Sequence, residues 1–205
     1  MREDKILLEQ AQRELKASSE SNAFEKILHK YERLIYYIAR RYFANHEDVM
    51  DASQETAIKI YNGLPQLVLP DFPSDGSLTD GSSPDGSSPG GSMKAWICTI
   101  TARVCLDALR KRRVQTSELT EAVYAEESVT APLPSAEESA AANERVAEIL
   151  SAIKKLPEDH RMAIILRDMQ GLSYEEIATA LQISIGTVKS RLSRARGGLK
   201  KLLKS

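Results

Sequence analysis

Two helical periodicities near the C-terminus, held three residues apart, constrain this chain more than any other feature. In "SYEEIATALQISIGTVKSRLSRARGGLKKLL", Ser173 and Glu176 make an S-x-x-E capping box that starts a short helix ending near Leu181. Gln182, Ile183 and Ser184 form the connector. Val188, Leu192, Ala195 and Leu199 then recur at spacings of four, three and four, which stacks them on one side of a 3.6-residue helix. That side can be buried. The rest of the helix carries Lys189, Ser190, Arg191, Ser193, Arg194 and Arg196, and no acidic residue follows Ile185. A short helix, a tight turn and a second helix with a polar cationic face describe a helix-turn-helix. A plain helical hairpin with a merely solvated face would mix both charge signs.

The rest of the chain is consistent with a polyanion as partner once charge is read by segment. Net charge is −1, but residues 94–113 hold Lys94, Arg103, Arg110, Lys111, Arg112 and Arg113 against the single acid Asp107. Residues 189–204 hold seven basic residues and no acid, whereas 114–142 hold six glutamates and no lysine or arginine. Two cationic patches separated by an acidic tether suggest two contacts on one polyanion.

Apolar periodicity predicts helices and no strand. A short amphipathic helix covers residues 4–17. Ser21 or Asn22 caps a longer one with Phe24, Ile27, Leu28, Tyr31, Leu34, Ile35, Ile38 and Tyr42 inward. A third runs over 47–62 and stops at Gly63 and Pro65. The glycine-, serine- and proline-rich stretch 65–92, with its "DGSSP" tandem repeat, predicts neither helix nor strand. A fourth helix covers 93–113, and a second helical unit begins near Asn143. Its first helix is followed by one with Pro157 in its first turn, closing before Gly171. The expected architecture is all-α: residues 1–113 with a flexible insert at 65–92, an acidic linker at 114–142, and a helix-turn-helix domain at 143–205. At 205 residues, 42% of them hydrophobic, two small domains are affordable.

Several classes of function are disfavoured. The apolar runs are too short to span a bilayer and the opening "MREDK" lacks the apolar core of a signal peptide, so a cytoplasmic chain without membrane insertion is expected. Cys98 and Cys105 stand seven apart, which fits neither a redox pair nor a metal site and suits small buried apolar side chains. His29, His46 and His160 are scattered. With no nucleophile-base pair, phosphate-cradling glycine loop or metal cluster, neither an enzyme nor a bound cofactor is expected.

The stretch "LPEDHRMAIILRDMQGLSYEEIATALQISIGTVKSRLSRARGGLKKLL" resembles the C-terminal promoter-reading domain of bacterial sigma factors of the extracytoplasmic-function group. Independently, "HEDVMDASQETAIKIYNGL" resembles that group's polymerase-binding helix, and "MKAWICTITARVCLDALRKRR" resembles the adjoining helix that melts and reads the downstream promoter element. The resemblance implies an initiation subunit that binds core RNA polymerase and promoter DNA, with an inhibitory anti-sigma factor as a partner the family often has.

It also implies roles. Asp48, Asp51 and Glu55, three and four apart with Gln54 alongside, would dock on a coiled coil of the large polymerase subunit; without the resemblance they read as a solvated acidic face. Thr187, Lys189, Ser190, Arg191, Ser193 and Arg194 would contact the upstream element. Trp96, Arg103, Arg110, Lys111, Arg112 and Arg113 would serve the downstream element. The basic cluster also suits the helix dipole, and Trp96 also suits a core anchor. Three features depart from the family pattern. Gln182 stands where glycine is usual, so a residue with a Cβ is expected in a left-handed conformation, at a cost of about 1 kcal/mol. Val104 stands where asparagine is common, and the insert is much longer than usual. The insert is expected to be mobile over 74–91, either as an inert spacer or as a set of aspartates competing with DNA phosphates for the basic helix after it. A dimeric helix-turn-helix regulator that works without polymerase is the alternative; it would need a self-association surface and paired half-sites.

Overall fold

The computed structural model describes residues 2–17, 22–43, 45–69, 92–116 and 140–204. The expectation of a mobile loop over 74–91, and most of the acidic linker, lie outside the described residues. Eight α-helices account for most of what is described: α1 (Arg2–Lys16), α2 (Asn22–Tyr42), α3 (His46–Gly63), α4 (Met93–Thr116), α5 (Ala140–Lys154), α6 (Glu158–Ile164), α7 (Tyr174–Leu181) and α8 (Ile185–Leu202). No strand occurs among the described residues.

The first four helices share one cluster. Leu8 and Ala11 of α1, Ile27 and Ile35 of α2, Ile60 of α3 and Met93 and Ile97 of α4 are buried together. Each fully buried aliphatic side chain of this kind contributes about 1.5–3 kcal/mol. Asp4 ties α1 to α2, accepting from Lys30 Nζ at 2.8 Å and from the Tyr31 hydroxyl at 3.0 Å. The bond to Asp4 raises the Lys30 pKa. Trp96 lies half-buried on the same cluster, and its ring runs so close to α3 that a Cβ on Gly63 would stand 2.9 Å from Trp96 Cζ2. The core-anchor reading of Trp96 therefore describes its position in this structure.

Both ends of the insert are better ordered than their composition predicts. A 3-10 turn, Leu64–Gln66, follows α3 without a break, and Gln12 Nε2 of α1 donates to Leu64 O at 2.9 Å and Leu67 O at 2.8 Å. Leu67 and Leu69 then pack on the first cluster. A distant amide satisfies carbonyls that the local sequence leaves open, which composition cannot reveal. At the far end the Ser92 hydroxyl accepts from Ala95 N and so starts α4.

The C-terminal unit follows its local signals closely. Ser173 and Glu176 form the reciprocal capping box, and Gln182 adopts φ 55, ψ 45, the left-handed conformation expected of it. Its amide and that of Ile183 both reach Ala178 O, closing α7 in a tight turn. Ser184 caps α8 by accepting from Thr187 N. One difference is local: the helix begun by α6 widens into a π turn over Ile165–Met169. Its Gln170 N bonds Ile165 O at 3.0 Å, and Gly171 reverses the chain at φ 77.

The two helical units, read from sequence as joined by a linker, also share a core. Ile38, Tyr42 and Phe43 at the end of α2 and Cys98, Ala102 and Cys105 of α4 lie in one buried cluster with Ile153, Ile164, Leu166, Ile177, Leu192 and Ala195. Burial raises the pKa of both cysteines to about 12, so they remain thiols at neutral pH.

Candidate nucleic-acid interface

Helix α8 splits as its periodicity predicts. Val188, Leu192 and Ala195 are buried, while Lys189, Ser190, Ser193, Arg194, Lys200 and Lys201 are exposed. Two arginines are committed elsewhere. Arg191 Nη2 bonds Asp159 Oδ2 at 3.0 Å with its side chain 22% exposed, so it leaves the open face with which sequence grouped it. Arg196 forms a fork on Asp168, Nε to Oδ2 at 3.1 Å and Nη2 to Oδ1 at 2.6 Å, and that bond raises its pKa further. Ser190 Oγ donates to Thr187 O, leaving its oxygen able to accept. Thr187 Oγ1 pairs with Ser184 Oγ at 2.9 Å, so the Thr187 hydroxyl is partly engaged in the cap. What remains open is a cationic and hydroxyl face on a single helix, an element that a major groove admits.

Helix α4 presents its cations differently along its length. Near its start Lys94 Nζ donates to Gln170 O at 2.8 Å. In its middle Arg103 donates from Nε to Ala180 O at 3.2 Å and from Nη2 to Thr179 O at 2.9 Å. Those carbonyls close α7, where the helix dipole is negative, so the guanidinium serves as a cap for the helix-turn-helix. At the far end Arg110 and Lys111 are exposed, with Arg110 3.6 Å from Asp107. Arg112 Nη2 bonds Asp48 Oδ1 at 2.8 Å. The Arg113 side chain lies outside the described residues.

The acidic helix α3 holds an additional feature that charge reading missed. Asp51, Gln54 and Glu55 are exposed, whereas Asp48 is only 21% exposed and faces Arg112. Beside the three runs an apolar row, Met50, Ile58 and Tyr61, exposed by 40%, 56% and 47%. These positions, with Gln54, share one helix face because they are four, four and three apart. Val49, Ala52, Thr56 and Ile60 are buried on the other face. The pattern was available in the sequence: Met50, Ile58 and Tyr61 stand eight and three apart, on the side opposite the core positions. Exposed apolar side chains in a row, rimmed by carboxylates, form a surface fit for a protein partner.

Among the described residues, no group of three or more His, Cys, Asp and Glu is placed to hold a metal ion. No described helix is long and apolar enough to cross a membrane.

Residues 27–68, which include most of α2 and all of α3, match Sigma-70 region 2, and residues 147–197, from α5 to α8, match Sigma-70, region 4. Together they define a transcription initiation factor of the sigma-70 class. The RNA polymerase sigma-H factor of Pseudomonas aeruginosa is 30% identical over 98% of this chain and 94% of its own length. The ECF RNA polymerase sigma-E factor of Escherichia coli is 30% identical over 94% of this chain and 90% of its own. The sigma factor RpoE from Bartonella quintana, solved in complex with the anti-sigma factor NepR, shares the fold with a TM-score of 0.63. It is 27% identical, over 88% of this chain and 96% of that one. This chain belongs to the extracytoplasmic-function (ECF) sigma factors of RNA polymerase. Its function is to direct polymerase to promoters, and the reading as a stand-alone operator-binding regulator gives way to it.

Proposed function

We propose that three surfaces of this chain divide the work of initiation. The exposed row Met50, Gln54, Ile58 and Tyr61 of α3, rimmed by Asp51 and Glu55, docks on core RNA polymerase. The open face of α8, with Lys189, Ser190, Ser193 and Arg194, reads the upstream promoter element, Thr187 standing by for a phosphate. The basic end of α4, with Arg110 and Lys111, takes the strand phosphates of the downstream element. Residues 1–113 and 143–205 act as separate domains in this scheme, joined by the acidic linker. Nucleotide addition belongs to the polymerase, and the chain works as a non-enzymatic subunit in the cytoplasm.

The observation that carries the proposal is the separation of faces on α8: its apolar stripe is buried, while its outward residues are cationic or hydroxylic and face no acid in their own helix. The contacts of Lys94 and Arg103 with the helix-turn-helix hold α4 and α7 together, and in this scheme that closed arrangement opens when α4 and α8 reach their separate promoter elements. An anti-sigma factor that favours the closed arrangement is the partner this suggests; the structural neighbour from Bartonella quintana was solved in complex with the anti-sigma factor NepR. Transcription from a pool of genomic fragments by purified core polymerase, with and without this chain, tests the reading. Start sites that need the chain and share an upstream and a downstream element support it; identical start sites in both reactions overturn it.

A further inference from the structure

Helix α4 has two apolar faces that serve different neighbours. Met93 and Ile97 belong to the cluster shared with α1, α2 and α3. Ala95, Cys98, Ala102 and Cys105, three, four and three apart, share a face and belong to the cluster that holds Ile177 and Ala180 of α7 and Leu192 and Ala195 of α8. All four side chains are small, which suits a close approach of another element, and none is more than 5% exposed.

Two cations of α4 reach across to the C-terminal unit beside this stripe. Arg103 donates from Nε to Ala180 O at 3.2 Å and from Nη2 to Thr179 O at 2.9 Å. Lys94 donates from Nζ to Gln170 O at 2.8 Å, the carbonyl that follows the π turn Ile165–Met169. Every acceptor is a main-chain oxygen. Carbonyls at a helix C-terminus also carry the negative end of its dipole, so those closing α7 offer Arg103 what a phosphate offers: acceptor oxygens in a negative field. Both cations are on the exposed surface, where a nucleic-acid strand can compete for them.

We propose that this contact is an autoinhibitory latch: the closing carbonyls of α7 stand in for strand phosphates on Arg103, the Gln170 carbonyl does so on Lys94, and a single strand that takes both cations releases the C-terminal unit from α4. The latch rests on the reading of α4 as the helix that takes downstream phosphates. A phosphate carries a full charge and a carbonyl a partial one, so the strand is the stronger acceptor for a guanidinium; burial of the small-residue stripe opposes release. Strand and α7 cannot hold the same donors at once, so each shifts the equilibrium against the other. Opening uncovers the stripe and with it the Cys98 thiol, which reports the latch without any DNA present.

The full chain is treated under native conditions with N-ethylmaleimide, an uncharged thiol reagent, and peptide mass spectrometry follows the label at Cys98. Without DNA, Lys94→Gln with Arg103→Gln should raise the labelling rate about tenfold, and Arg103→Lys alone should raise it less. Lys30→Gln, which removes the 2.8 Å bond between α2 and Asp4 of α1, should leave the rate near that of wild type. Circular dichroism of each variant confirms that its helices are intact. A random single-stranded oligonucleotide should accelerate labelling of the wild type saturably, more at low salt than at high, and change the double variant little. An unchanged rate in the double variant, an equal rise in Lys30→Gln, or a wild-type rate that the oligonucleotide does not raise would overturn the latch. The reading beneath it is tested apart, by strand affinity: no loss of affinity in Arg110→Gln with Lys111→Gln would contradict α4 as the phosphate-binding helix, whereas the labelling rates without DNA judge closure alone.

Discussion

Arg112 at the end of α4 donates to Asp48 in the first turn of α3 across 2.8 Å, so a residue assigned by sequence to DNA is bonded to one assigned to polymerase. The pair spans 64 positions and removes Asp48 from the open acidic face. It sits partly in solvent, with the Arg112 side chain 49% exposed, and a pair in that setting contributes about 0–1 kcal/mol. A double-mutant cycle with Asp48→Ala and Arg112→Ala, read by denaturant unfolding, should give a coupling in that range that shrinks as salt is raised. A coupling several times larger and insensitive to salt would mean that the pair is structural rather than superficial.

Gln182 holds a left-handed backbone that costs a residue with a Cβ about 1 kcal/mol. Gln182→Gly should therefore raise stability by up to about 1 kcal/mol despite the greater freedom of glycine in the unfolded chain. Gln182→Val, β-branched, should lower it by at least about 1 kcal/mol. Thermal unfolding of the two variants checks the opposite signs. Destabilisation by both would show that the glutamine side chain, not the backbone, matters at this turn.

Much of the C-terminal unit was legible because its determinants are local. The Ser173 and Glu176 box, the stripe at Val188, Leu192 and Ala195, and the strained connector each depend on neighbours within four residues. What sequence could not reveal depends on partners far along the chain. Arg191 reads as an open-face cation until Asp159, 32 residues earlier, takes it. Arg103 reads as a phosphate ligand until the carbonyls of Thr179 and Ala180 receive it. Leu67 reads as part of a shapeless insert until Gln12 reaches its carbonyl. Met50 and Ile58 differ again: in sequence they are two apolar residues among carboxylates, and their exposure follows only once the opposite face of α3 is known to be buried.

On α8, base reading and phosphate binding should separate by residue. Arg194 is exposed on the face opposite Val188 and Leu192, so Arg194→Ala should cost about 1–3 kcal/mol and relax preference at one upstream position. Lys200→Ala should weaken all sequences alike and reduce the salt dependence of binding. Binding to promoter and random duplexes over a salt series distinguishes the two. Equal losses on both duplexes for Arg194→Ala would reassign that arginine to a phosphate.

Docking through α3 is the proposed step by which the chain reaches polymerase, and the affinity of Asp51→Arg with Glu55→Arg for core RNA polymerase tests it most directly. Both side chains are exposed, so the double substitution should leave helicity and melting temperature almost unchanged. Reversing the charge beside the apolar row should abolish measurable binding to core polymerase and, with it, chain-dependent initiation. Wild-type affinity for core polymerase in this folded variant would contradict the account.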